Sequence, residues 1–184
     1  MFSWTWAWSR GFLLTMKVFG IMGWSGSGKT ELVIRLIPEF VRRGIGVSTM
    51  KHTHHNFDMD KPGKDSFRHR EAGAKEVMVA SSARWALLHE LTDEPEEDME
   101  DLIERMTPVD LLLIEGFKSH RHPKLEVHRP ELGKPLIAAD DDSIMAVASD
   151  VSEIDGTAVP VLDLDNIEAI ADFIADFTGV GKKT

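Results

Sequence analysis

The chain has 184 residues, 42% hydrophobic and 28% charged, with no cysteine and a formal net charge of −10. Such a length and composition suit one globular domain with a substantial core. The missing thiols exclude a disulfide framework and a thiolate metal site, and the acidic balance argues against general nucleic-acid binding. The charge is uneven, however: residues 93–104 form an acidic run, whereas 51–75 are rich in Lys, Arg and His, which suggests a site for a small anion.

Residues 1–15, with Trp4, Trp6 and Trp8, read as a disordered or non-native extension ahead of a single nucleotide-binding domain spanning 16–184. Their apolar run is too short to span a bilayer and Arg10 interrupts it. They carry no basic start and no small-residue cleavage site. No membrane segment is expected, and the cysteine-free composition suits the cytoplasm.

The ordered pattern begins at 17–22, a short apolar run that reads as a buried parallel strand. Gly23-Trp24-Ser25-Gly26-Ser27-Gly28-Lys29-Thr30 follows and fits the phosphate-binding pattern GxxxxGK[ST] without a mismatch. Residues 31–43 then predict a helix, with Leu32, Val33, Leu36, Ile37, Phe40 and Val41 apolar, Pro38 inside the pattern and Gly44 at its end. Strand, glycine loop and helix are the context that the motif's chemistry requires. Gly23, Gly26 and Gly28 allow positive φ, so successive N–H groups form an anion nest at a helix N-terminus, joined by Ser25 and Ser27. Lys29 supplies a point charge to β- and γ-phosphates, and the Thr30 hydroxyl is a Mg²⁺ ligand.

A second strand is expected at 46–50, which makes 17–50 a βαβ unit and the fold α/β with a largely parallel sheet. Ligands of such sheets bind outside the carboxyl ends of the strands, where Lys51-His52-Thr53-His54-His55 emerges. The polar stretch after it holds Asp58, Asp60, Lys64, Asp65, Arg68 and Arg70, with a turn at Pro62-Gly63. Three readings stand for the cluster: zinc on the histidines, a solvated loop, or a phosphate-bearing ligand held by His52, His54, Lys64 and Arg68.

Residues 75–80 and 83–88 are strand-like, and 93–105 predict an acidic amphipathic helix. The run 109–116 is a buried strand closing on Glu115, whose carboxyl-end position, unlike that of Asp110, lets it complete the Mg²⁺ shell; Gly116 then turns the chain and Lys118 faces the same rim. Further short strands are expected at 125–128, 136–138, 144–148 and 160–162, with a closing helix at 166–177 and a solvated turn at Asp140-Asp141-Asp142.

The phosphate loop, the KHTHH run at 51–55, Pro62-Gly63-Lys64-Asp65-Ser66 with Arg68 and Ala72-Gly73-Ala74, Leu113-Ile114-Glu115-Gly116-Phe117-Lys118, and Val161-Leu162-Asp163 together resemble the family of molybdopterin-guanine dinucleotide biosynthesis protein B. The resemblance runs from Lys17 nearly to the C-terminus and implies a P-loop NTPase-type fold with helices flanking the sheet. It further implies a GTP-binding accessory protein of molybdenum-cofactor synthesis, with Mg²⁺, slow hydrolysis at most, a homodimer, and the guanylyltransferase that attaches GMP to molybdopterin as partner. On it, Gly23, Ser25, Gly26, Ser27, Gly28 and Lys29 hold the phosphates, and Thr30 and Glu115 hold the metal. Asp150 is assigned to the base, because a carboxylate can accept from both N1–H and N2–H₂ of guanine. Lys51, His52, His54, His55, Lys64, Arg68 and Lys118 are candidates for a second anionic ligand such as the pterin phosphate, and Asp58 or Asp65 for orienting water beside Lys29. No intrinsic arginine finger is evident. A small-molecule kinase and a metallochaperone GTPase carrying metal on its histidines are the rival readings.

Overall fold

The computed structural model describes residues 16–53, 57–118 and 120–181. The extension at 1–15 and His54 and His55 therefore lie outside the described residues. The described chain divides into two compact units, one formed by residues up to 52 and from 103 onward, the other by 53–102.

The first unit is built on six parallel strands: β1 (Lys17–Met22), β2 (Val47–Lys51), β5 (Leu111–Glu115), β6 (Lys124–His128), β7 (Ile144–Ser149) and β8 (Val161–Asp163). Their order is β2-β5-β1-β6-β7-β8. Both faces of the central strands are covered, which is why β1 and β5 read as continuous apolar runs rather than alternations. Two helices, α1 (Lys29–Arg42) and α4 (Ile167–Thr178), share one core with the sheet. Leu32, Leu36 and Phe40 of α1 and Ile170 and Ile174 of α4 meet Phe19, Ile21, Leu113 and Val127 there, all essentially without solvent exposure. Arg43 ties the helices together, donating to Asp172 at 2.6 Å.

Helix α1 continues through Pro38 to Arg42. The proline removes the hydrogen bond to the carbonyl of Ile34, but both residues are exposed, so that carbonyl is open to water. The helix ends as expected, with Gly44 at φ 76° just beyond the cap. Glu39 accepts from both Arg42 and Arg43, and these guanidinium bonds hold its carboxyl down at about 2.

The second unit holds α2 (Asp65–Glu71) and the antiparallel hairpin of β3 (Glu76–Ala80) and β4 (Trp85–His89). Arg70 organises it: its guanidinium reaches Asp58 at 2.5 Å, Asp60 at 2.7 Å and Glu90 at 3.0 Å and lies over the Phe67 ring. Helix α3 (Met99–Glu104) leads back to β5.

Two expectations are corrected. The helix at 93–105 is confined to α3. Asp93 adopts φ 58° and Pro95 follows, so the first half of the acidic run has no helical backbone to join. The strand at 136–138 is instead a 3-10 turn, Ile137–Ala139. The amides of Ile137 and Ala138 donate to the carboxylate of the fully buried Glu126, at 3.1 and 2.8 Å, and not to a neighbouring strand.

The sheet order matters for function. From β1 the chain first runs outward to β2, with β5 later filling the gap, and then outward the other way through β6, β7 and β8. The reversal falls at β1, so the crevice outside its carboxyl end is where a sheet of this type takes its ligand.

Candidate functional site

The loop 23–28 leaves the carboxyl end of β1 and delivers the chain into α1, with Gly28 as the helix N-cap at φ 99°. Gly23 is required on two counts. Its φ is 146°, and a Cβ there would stand 2.4 Å from the Val127 carbonyl and 2.7 Å from Ser27 Oγ. Ser27 is buried, and its hydroxyl has no hydrogen-bond partner among the described residues. The loop therefore wraps tightly around its own floor while Ser25 and Gly26 stay exposed at its crest.

Lys29 Nζ donates to the Trp24 carbonyl at 2.9 Å and so folds back across the loop. Its pKa is lowered, chiefly by burial, with Lys118 and Lys51 adding repulsion and Glu115 opposing. The cation thus stands partly desolvated among like charges, an arrangement that an incoming anion relieves.

Thr30 is the second residue of α1 and Glu115 closes β5, the strand beside β1. The Thr30 hydroxyl donates to Glu115 at 3.0 Å, and Lys51 Nζ lies 3.1 Å from the same carboxylate. Strand register explains the meeting: β5 pairs with both β1 and β2, so its last residue sits at the rim between the phosphate loop and the start of the histidine run. Asp110 is at the other end of the strand, where its carboxylate accepts from the Gly46 amide at 2.7 Å. A hydroxyl and a carboxylate side by side at a helix N-terminus form an oxygen donor set suited to Mg²⁺.

After Glu115 the chain turns through Gly116 (φ 101°) and Phe117 (φ 49°). A Cβ on Gly116 would lie 3.0 Å from the His52 carbonyl, so the turn and the start of the histidine run pack directly together. Phe117 is buried between the His52 ring, at 4.6 Å, and the His120 ring, at 5.1 Å. Lys118 turns toward the loop, its ammonium 5.2 Å from the Trp24 ring.

The sequence-derived candidates thus separate by unit. Gly23, Ser25, Gly26, Ser27, Gly28, Lys29, Thr30, Lys51, His52, Glu115, Lys118 and Asp150 belong to the first unit, most of them at the carboxyl rim. Asp58, Lys64, Asp65 and Arg68 belong to the second: Asp65 begins α2, Lys64 is its N-cap, and Asp58 is committed to Arg70. Among the described residues no group of three or more His, Asp or Glu side chains could hold a metal.

Two contributors were missed from sequence. Trp24, at a variable position of the motif, donates its indole N–H to the Pro135 carbonyl at 2.8 Å and has Lys134 on its ring beside Lys118. Arg129, the residue after β6, donates to the Ser27 carbonyl at 3.1 Å and to Asp150 at 2.5 Å. The rule that picked Glu115 and Asp150, polar residues just past a strand's carboxyl end, applies equally to Arg129.

No helix among the described residues is long and apolar enough to cross a membrane. Residues 18–150 match the sequence profile of the family described as Molybdopterin guanine dinucleotide synthesis protein B. A "Molybdopterin-guanine dinucleotide biosynthesis adapter protein" of Escherichia coli (strain K12) is 45% identical over 166 residues, 88% of this chain and 93% of that one. A protein of the same name from Haemophilus influenzae is 44% identical over 166 residues, covering 88% and 89%. A crystal structure of molybdopterin-guanine biosynthesis protein B superposes with a TM-score of 0.69 at 28% identity, over 88% of this chain and 99% of that one. The parallel sheet, the phosphate loop and these similarities lead to one assignment: the chain belongs to the molybdopterin guanine dinucleotide synthesis protein B (MobB) family.

Proposed function

We propose that this protein is a GTP-binding adapter of molybdenum-cofactor synthesis, acting in the cytoplasm beside the guanylyltransferase that joins GMP to molybdopterin. The observation that carries the nucleotide half of this reading is the Thr30–Glu115 hydrogen bond at the mouth of the phosphate loop. The names of the relatives support the pathway.

In this reading the amides of 25–30 and the Lys29 ammonium take the β- and γ-phosphates, and Thr30 and Glu115 would hold Mg²⁺. Bound there, the ion would neutralise phosphate charge. Lys29 exchanges its bond to the Trp24 carbonyl for phosphate oxygens, and Lys51 remains paired with Glu115 at the edge. Asp150 reads the base. Lys51, His52 and Lys118 line the side on which a second anionic ligand, the pterin phosphate, would approach. Hydrolysis is slow, and the protein's contribution is to hold nucleotide for its partner.

We read the protein as a homodimer. The hairpin face bearing Met78, Trp85 and Leu87 supports this, since all three side chains are exposed on the same side of the β3–β4 ladder.

Calorimetric titration of GTP and ATP in Mg²⁺ tests the nucleotide reading. Wild type binds GTP more tightly than ATP, and Lys29→Ala weakens GTP by about tenfold or more, the size of one lost charge-assisted bond. Equal affinity for both nucleotides, or a Lys29→Ala protein with unchanged GTP affinity, would overturn it.

A further inference from the structure

We infer that Arg129 is a positioning residue of the nucleobase subsite, holding Asp150 in the orientation that reads guanine and tying it to the phosphate loop. The inference rests on the GTP reading above and deepens it.

The strand order creates the arrangement. β6 lies beside β1, and β7 lies beside β6. The residues that follow these strands, Arg129 and Asp150, therefore emerge next to the phosphate loop and in line with it. The guanidinium spans the gap. Its Nε donates to the Ser27 carbonyl at 3.1 Å, and its Nη1 donates to Asp150 Oδ2 at 2.5 Å. Nε and Nη2 lie 3.8 and 3.9 Å from the place where a Cβ on Gly28 would stand. One planar cation thus contacts the last turn of the loop and the carboxylate together.

The pairing leaves Asp150 able to act. Each carboxylate carries about four lone-pair sites. Arg129 takes one on Oδ2, and among the described residues Oδ1 has only a 3.5 Å contact with the Ser149 hydroxyl. Both side chains keep about a third of their surface exposed, 31% for Arg129 and 33% for Asp150. Oδ1 and the outer edge of Oδ2 remain open to two donors, which is what N1–H and N2–H₂ of guanine present and adenine does not. A guanidinium suits this task, since its N–H groups point in fixed relative directions and one rigid group can bond the Ser27 carbonyl and the Asp150 carboxylate together, whereas an ammonium has no such fork.

Phosphate charge alone would need no such bridge. A cation serving only the phosphates would help every nucleoside triphosphate equally. A residue acting through Asp150 alters discrimination between bases.

The test measures affinities of GTP, ATP, ITP and XTP for wild type, Arg129→Ala, Arg129→Lys, Asp150→Asn, Asp150→Ala and the double variant Arg129→Ala/Asp150→Ala, with thermal unfolding as a check on folding. Arg129→Ala is expected to weaken GTP about tenfold and ATP less than about threefold, the scale of one oriented charge-assisted contact. Arg129→Lys restores only part of the loss. Asp150→Asn is expected to favour XTP over GTP, because its amide donates where the carboxylate accepted. The double variant should be little worse than Asp150→Ala alone, as required if one residue acts through the other. Parallel losses for GTP and ATP in both Arg129 variants would overturn the inference while leaving the GTP reading intact. A wild type indifferent to the base would overturn both. If Arg129→Ala fails to fold, Arg129→Lys and Asp150→Asn decide the matter by the same base ratios.

Discussion

Lys29 shows how a single residue's surroundings set its chemistry. Burial and the neighbouring Lys118 and Lys51 lower its pKa from 10.5. Nucleotide affinity should accordingly decline as pH rises through the alkaline range, beginning below 10.5, and a Lys29→Arg protein should hold its affinity to higher pH because arginine stays charged. Titrations between pH 7 and 10 check this. His122 carries the opposite kind of sensitivity. It is only 3% exposed, both ring nitrogens lack a partner among the described residues, and burial with Lys124 nearby depresses its pKa from 6.5 to about 4. The unfolded chain binds this proton first, so the stability present above about pH 6.5 is lost as pH falls toward 4, by about 3 kcal/mol over that window. His122→Leu should flatten the acid slope in denaturant unfolding. At Gly23 the effect is steric: Gly23→Ala meets the Val127 carbonyl and Ser27 Oγ, so loop closure and nucleotide binding should be lost together.

At the scale of elements, β6 has a role that its hydrophobic pattern conceals. Leu125 and Val127 enter the core, while Lys124, Glu126 and His128 are also buried. Lys124 bonds Asp141, and Glu126 receives two amides of the turn at Ile137–Ala139. Through that network the strand holds the segment 130–143, including the Pro135 carbonyl that accepts from Trp24. Glu126→Ala deprives two part-buried amides of their acceptor, a loss on the order of 1 kcal/mol each. Faster hydrogen exchange at Ile137 and Ala138 in this variant, with quenching of Trp24 altered, is the expected outcome; unchanged exchange would count against the network. The same element explains why 136–138 carries a strand-like pattern but forms a 3-10 turn. An apolar triplet looks like a strand unless one knows that a distant carboxylate has claimed its amides. Shortening of α3, by contrast, was present in the chain as Pro95 inside an acidic run.

For the whole molecule, the exposed strip of Met78, Trp85 and Leu87 is the feature a second subunit would cover. Sedimentation equilibrium should find a dimer in wild type and a shift to monomer in a Met78→Ser/Trp85→Ser protein; a wild-type monomer at all concentrations would remove the homodimer from the proposal.

The sequence by itself determined the glycine-rich GxxxxGK[ST] loop between a strand and a helix, the parallel α/β class, and which end of β5 carries Glu115 and which carries Asp110. Those rest on local spacing and on the side of a strand at which a residue lies, which chain order encodes directly. Only the tertiary structure decided which strands are neighbours. Because β5 slots between β1 and β2, Glu115 reaches Thr30; because β6 and β7 follow on the other side, Arg129 reaches both Ser27 and Asp150. Arg129 and Ser27 stand 102 residues apart in the chain, and no periodicity records a contact made only when the sheet assembles.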